Sequence, residues 1–244
     1  MKTSLQSPKR PLRLPDSVHY QLNQYALAAS AAGVGLLALA QPAEAKIVYT
    51  KAHTVIHGLN DCVSLDLNHD GIVDFRLEVR RMRYPFTGQE LAAYPPGASP
   101  TSNTVRRTYK RGWAAAYRAG VRIGPNGPHA RPLKSIYNGA LMEFACPAST
   151  CPGTHKSTGN WLDVRNRYLG LAFVIKGKIH YGWARLNASI GRSYGIRGLL
   201  TGYAYETVPN KAIITGKTEG PDVVTVPPGS LGRLAQGSFR CSGR

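Results

Sequence analysis

The sequence predicts an all-β fold, an antiparallel β-sandwich of jelly-roll-like type with one short helix and long loops. Three observations predict it. Short runs alternate apolar with polar residues, glycine-bearing turns separate them, and only residues 112–120 have a helix-forming composition.

In chain order, the first element lies outside that fold. Residues 25–40 are apolar and rich in Ala and Gly; Lys2, Lys9, Arg10 and Arg13 precede them, and Ala43-Glu44-Ala45 follows. A basic region, an apolar run and a small-x-small tripeptide make a secretory signal peptide, 1–45, with cleavage after Ala45. The competing reading is a membrane anchor, which takes about 20 consecutive apolar residues. No Arg-Arg pair marks a twin-arginine route. The protein is therefore expected to be exported: secreted, on the cell surface, or in the periplasm. No transmembrane helix is expected after signal cleavage.

The sandwich domain is expected over 46–226. Residues 46–56 (KIVYTKAHTVI) are β-branched and aromatic and read as a strand. Residues 63–79 alternate on both sides of Asn68-His-Asp-Gly71, a β-hairpin in which Asp70-Gly71 supplies the tight turn. Residues 84–103 are rich in Pro, Gly, Ser and Thr and read as an irregular excursion, and 121–160 return to loop. Between them Gly112 to Gly120 (GWAAAYRAG) reads as the short helix. Leu169, Leu171, Phe173 and Ile175 then share one strand face, Lys176-Gly177 turns the chain, and Ile179, Tyr181 and Trp183 alternate on the next strand. A further strand runs over 199–206 with Leu199, Thr201, Tyr203 and Tyr205 on one side; 212–215 and 223–226 add two more. Residues 227–244 are expected to be a disordered tail.

Charge sets the expected partners. The chain carries 31 Lys and Arg against 13 Asp and Glu. Removing 1–45 removes four basic and two acidic residues, leaving 27 against 11. The loop-rich insertion 80–160 concentrates this charge: Arg80, Arg81, Arg83, Arg106, Arg107, Lys110 and Arg111 stand among the eleven basic residues of 80–134, with Glu90 as the single acid. In the cytoplasm such a stretch, interleaved with Tyr84, Tyr109, Trp113 and Tyr117, would suggest nucleic acid. Export argues against nucleic acid and for anionic polysaccharide or lipopolysaccharide. The bland alternative is a solvated basic face.

The four cysteines, Cys62, Cys146, Cys151 and Cys241, are an even number in an exported chain, and disulfides are the default there. The short spacing of Cys146 and Cys151 makes a local bridge, leaving Cys62 with Cys241. Zinc, with His155 as a third ligand, competes, but the spacing matches no common zinc motif.

One stretch carries metal chemistry. Asp66, Asn68, Asp70 and Asp74 place side-chain oxygens at positions 1, 3, 5 and 9 of a loop, Gly71 stands at 6, and Ile72 offers its carbonyl at 7. Alternate residues of this kind converge on calcium, and the glycine allows the sharp turn. Position 12 is Leu77 in place of a bidentate Glu, so the expected affinity is weak, about 10⁻⁴ to 10⁻³ M. The alternative is a turn in which Asn and Asp accept from backbone N–H groups.

Tyr168-Leu-Gly-Leu-Ala-Phe173, His180-Tyr-Gly-Trp-Ala-Arg-Leu186, Gly202-Tyr-Ala-Tyr-Glu206 and Pro209-Asn-Lys-Ala-Ile-Ile-Thr-Gly216 resemble a family of exported bacterial proteins of unknown function. Its members often carry PEP-CTERM-like sorting tails. The resemblance takes in most of the mature chain and implies a β-sandwich with those strands as core elements. It implies no activity, and residues 229–237 lack the hydrophobic anchor of such tails.

No Gly-x-Ser-x-Gly and no His-Glu-x-x-His occurs. A glycosidase needs two suitably placed carboxylates, and Glu143, Asp163 and Glu206 are the candidates. Trp161, Trp183, Tyr181 and Tyr203 could line a sugar groove or belong to the core. The expected function is a noncatalytic, calcium-stabilised, exported surface or matrix protein that binds anionic polymers. The alternative is a secreted carbohydrate-binding or glycosidase-like protein.

Overall fold

The computed structural model describes residues 46–82, 87–96, 103–108, 112–128, 139–147, 151, 157–191 and 195–226, and the backbone of 238–240. The chain divides after Glu44, and all of these residues belong to the second unit, Ala45–Arg244. The signal-peptide expectation for 1–45 lies outside the described residues.

The strands among the described residues are β1 (Ile47–Ile56), β2 (Cys62–Leu65), β3 (Phe75–Met82), β4 (Gly88–Tyr94), β5 (Thr104–Val105), β6 (Ala116–Tyr117), β7 (Arg122–Ile123), β8 (Ala140–Ala145), β9 (Ser157–Gly159), β10 (Val164–Ile175), β11 (Lys178–Ile190), β12 (Ile196–Glu206), β13 (Ile213–Ile214), β14 (Val223–Val226) and β15 (Ser238–Arg240). Sheet 1 runs β14-β1-β12-β11-β10-β5, with β6 also on β10; sheet 2 runs β15-β2-β3-β4-β8-β9; β7 and β13 form a two-stranded ribbon. Pairing is antiparallel except for β1 with β14, which is parallel.

The fold is all-β, with antiparallel sheets packed as a sandwich. Phe75, Leu77 and Val79 of β3, Leu91 of β4 and Met142 of β8 share one buried cluster with Leu169, Leu171 and Phe173 of β10 and Leu186 of β11. Sheet 1 is buried on its other face too. There Tyr49, Tyr168, Tyr181 and Trp183 pack under Ala115, Tyr117, Ile123 and Ile213. The cover is clipped down by hydrogen bonds: the Trp183 indole N–H donates to the Ile214 carbonyl at 3.1 Å, and the Thr215 hydroxyl to the Arg118 carbonyl at 2.7 Å.

The β10–β11 hairpin turns at Lys176-Gly177, where both residues have positive φ (48° and 75°). That is the primed turn whose twist matches its strands.

Several expectations need correction. Residues 112–120 form no helix. The Ala114 N–H donates to the Leu141 carbonyl (2.7 Å) and the Ala115 N–H to the Arg106 carbonyl (3.0 Å), so β8 and the residue after β5 take the groups a helix would use. A segment this short cannot hold a helix on propensity alone. In β12 the register against β11 slips between Arg185 and Leu186, leaving Thr201 as an extra residue. Alternation therefore changes phase: Ile196 and Leu200 face the sandwich before the bulge and Tyr203 after it, while Leu199 is not in the core. Arg185 fills the bulge, its Nε–H donating to the Thr201 hydroxyl at 2.7 Å.

The segments read as loop supply β4, β8 and β9, three of the six strands of sheet 2. Within the tail expected to be disordered, Ser238–Arg240 instead pairs with β2; the rest of 227–244 lies outside the described residues. Cys146 and Cys151 are bridged, with Cα atoms 6.0 Å apart. Cys62 is also disulfide-bonded, and Cys241 lies outside the described residues.

Candidate functional site

The metal-loop candidates sit between β2 and β3, where Leu65 pairs with Phe75. The nine residues 66–74 replace the tight turn expected at Asp70-Gly71, because Asp66 and Asp74 turn their carboxylates inward and organise the loop. Asp66 accepts from the N–H groups of Asp70 (3.2 Å) and Gly71 (2.8 Å). Asp74 accepts from the Leu67 N–H at 2.8 Å and from the Asn103 amide at 3.2 Å. Asp70 accepts from the Ile72 N–H and from the Asn68 amide, both at 2.8 Å. His69 (φ 61°) and Gly71 (φ 86°) take left-handed conformations and fold alternate side chains to one side.

Asp66 is 1% exposed and Asp74 6%. Burial raises both pKa values against the pull of their N–H donors, and the neighbouring carboxylates raise them further; Asp74 reaches about 7. Asn68 Oδ1 is buried with no hydrogen-bond partner. Ile72, whose carbonyl is the ligand expected at position 7, is 67% exposed.

The residue types fit a hard cation: the Asn68 oxygen has no hydrogen-bond partner, and the two buried acids repel each other, with His69 beside Asp66 pulling the other way. The hydrogen bonds are those of an Asx-type turn, and among the described residues no three His, Cys, Asp or Glu side chains converge as a metal-holding group.

The anion-binding candidates divide into different roles. Arg80 is exposed and ion-paired to Glu90 across the β3–β4 pair, and its guanidinium also lies 5.8 Å from the Tyr94 ring centre. Arg81 is exposed at the end of β3. Arg106 is buried: it donates to the Gly124 carbonyl (3.1 Å) and stacks 5.4 Å from the Tyr181 ring centre. Arg107 is half-buried. Arg83, Lys110 and Arg111 lie outside the described residues, as does His155 of the zinc alternative.

The glycosidase candidates divide into Glu143 and Asp163, which feel each other's charge, and Glu206, which has its own partners. Glu143 faces the sandwich interior opposite Leu91, is fully buried, and neither carboxylate oxygen has a hydrogen-bond partner. Burial pushes its pKa to about 8, with the charge of Asp163 adding to the rise. Asp163 is exposed and accepts from the Ile190 N–H at 3.1 Å. Glu206 is buried, accepts from the Val208 N–H at 3.1 Å and pairs with Lys211 at 3.3 Å. Trp161 and Trp183 are fully buried, as is Tyr203, and Tyr181 is 5% exposed. These four aromatics are core, and a sugar cannot stack on them in this fold.

Sequence reasoning missed a cleft of about 350 Å³ at the β6 edge of sheet 1, lined by Thr108, Ala116, Tyr117, Arg118, Asn160 and Arg167, among others. No local pattern marks it, because three separate segments build it. Compared with known proteins, the chain matches no family model, no curated protein and no solved structure.

Proposed function

We propose that this protein is an exported, noncatalytic surface or matrix protein that holds calcium in the 66–74 loop and binds anionic polymers. Export rests on the reading of 1–45 as a signal peptide and on the resemblance to exported bacterial proteins. The disulfides suit that compartment. Among the described residues no helix is long and apolar enough to cross a membrane.

The single observation that supports the binding reading is what reaches solvent. Arg76, Arg81, Arg118, Arg122 and Arg165 are exposed and make no ion pair among the described residues, while the aromatics suited to neutral sugars are buried. An arginine-rich, acid-poor surface attracts polyanions, and its binding weakens with salt.

The test is binding of the full chain to an acidic polysaccharide, lipopolysaccharide, DNA and a neutral glycan at low and high salt, with calcium or with EDTA. The expected result is capture of the acidic polysaccharide or lipopolysaccharide that falls steeply with salt; binding indifferent to salt overturns the electrostatic reading. Calcium at ten times a dissociation constant of 10⁻⁴ to 10⁻³ M should stabilise the fold by about 1.4 kcal/mol, reversed by EDTA. An unfolding transition that calcium does not move overturns the metal reading.

A further inference from the structure

We propose that the cleft at the β6 edge binds one carboxylate- or sulfate-bearing sugar residue of an acidic polysaccharide, held between Arg118 and Arg167. This rests on the anionic-polymer reading above and names its site.

The register brings the two arginines together. Tyr117 of β6 pairs with Tyr168 of β10 in antiparallel fashion, so one further step along each chain sets Arg118 opposite Arg167. Like charges facing each other across a strand pair repel. Among the described residues neither arginine makes an ion pair, and no acidic side chain lines the cleft. The nearest acid in sequence, Asp163, is engaged with the Ile190 N–H.

A bulge aims Arg167. The β10–β11 register shifts between Val164 and Arg167, with Asn166 at φ 49° and its N–H donating to Asn187 Oδ1 at 2.8 Å. Bulges of this kind redirect a side chain at a sheet edge and recur beside binding sites.

The walls select the ligand class. A volume of about 350 Å³ falls at the small end of ligand pockets, about 300–1,000 Å³, and suits a small unit of a polymer. Guanidinium forks match carboxylate and sulfate oxygens in pairs. Ala116 and Val164 give an apolar wall, and Asn160, whose amide N–H donates to the Ala114 carbonyl at 2.9 Å, leaves its Oδ1 for a sugar hydroxyl. The aromatic lining residue, Tyr117, is 7% exposed and its hydroxyl donates to the Pro128 carbonyl, so a nucleobase finds no open ring to stack on.

The test is calorimetric titration of the full chain with an oligogalacturonate, a heparin-derived oligosaccharide, a neutral oligosaccharide and inorganic phosphate. Arg118→Gln, Arg167→Gln and Lys178→Gln are run beside the unaltered chain, with thermal unfolding as the check on folding. Losing a charge-assisted fork should weaken acidic-oligosaccharide binding about tenfold or more for Arg118→Gln and Arg167→Gln. Lys178→Gln, exposed at the turn end of the β10–β11 hairpin, should stay within about twofold. Acidic-oligosaccharide binding that is equal in all variants overturns the cleft and leaves the polymer reading standing. Phosphate or the neutral oligosaccharide binding as tightly as the acidic ones overturns the sugar class. An unaltered chain that binds no polyanion overturns both proposals.

Discussion

Sheets 1 and 2 face each other across one core, yet their outer faces differ in kind. The outer face of sheet 1 carries Tyr49, Tyr168, Tyr181 and Trp183 and is roofed by the 115–123 segment and β13. The outer face of sheet 2 carries Arg76, Glu78 and Arg80 on β3, opposite Tyr94, Ala92 and Glu90 on β4. There the Tyr94 hydroxyl donates to Glu78, and Arg80 pairs with Glu90. Sheet 1 is thus a middle layer held by packing on both sides. Sheet 2 is an outer layer whose outer face carries polar contacts of small net value and, beside them, a small apolar cluster of Phe144, Cys146 and Cys151 with Met82 and Trp113. Charge that reaches solvent on sheet 2 and at the sheet 1 edge is free to meet a ligand.

Four changes break or sharpen this contrast, beginning with the most severe. Inserting one alanine between Gly202 and Tyr203 adds a further residue to β12 beyond the Thr201 bulge and turns Tyr203, fully buried, toward the wrong face. The expected outcome is loss of the cooperative unfolding transition, followed by near-ultraviolet circular dichroism. A folded insertion variant would mean that the middle layer tolerates a phase error.

Trp183→Ala empties the outer face of sheet 1 between Tyr49 and Tyr168, whose ring centres lie 5.9 and 5.1 Å away. A loss of about 3–5 kcal/mol in denaturant unfolding is expected. A loss under about 1 kcal/mol would show that the roof is loose and that sheet 1 is no more buried than sheet 2.

Glu143 tests the interior of sheet 2. Its carboxyl is raised from 4.5 to about 8 in the fold, so between those values the native state holds a proton that the unfolded chain has released. Stability contributed by this group is full below the lower value and is lost as pH rises through the window, at up to about 1.4 kcal/mol per pH unit. Glu143→Gln keeps the shape without the titration and should flatten that falling limb. An unchanged limb would assign it to another group.

Arg76→Ala, on the outer face of sheet 2, should change stability by no more than about 0.5 kcal/mol. A larger loss would mean that this face is held as tightly as that of sheet 1.

The same contrast governs what could be read in advance. β10, β11 and the turn between them were legible because alternation, a Lys-Gly primed turn and β-branched and aromatic residues all agree there. β14 falls on 223–226 and β1 within one residue of 46–56, for the same reason. β4 (GQELAAY) and β8 (ALMEFA) were not legible. Their alanines and glutamates have low strand propensity and each carries a buried acid, Glu90 or Glu143. They are strands because β3 and the sheet 1 core accept their backbones and side chains, which is a tertiary fact. The 66–74 loop was legible as residue types, and its alternative reading as a hydrogen-bonded turn describes the contacts that form.

The sequence by itself determined the all-β class, the local bridge of Cys146 with Cys151 and, in sheet 1, strands β1, β10, β11, β12 and β14, because each depends on neighbours within a few residues. Tertiary structure alone decided that residues 113–117 pair as extended chain, that Thr201 bulges and reverses the face of β12, and that Arg106 is structural. It also decided that Arg118 meets Arg167. Each of those outcomes turns on a backbone group or a charge whose partner lies far away along the chain, and no local pattern of residues encodes a distant partner.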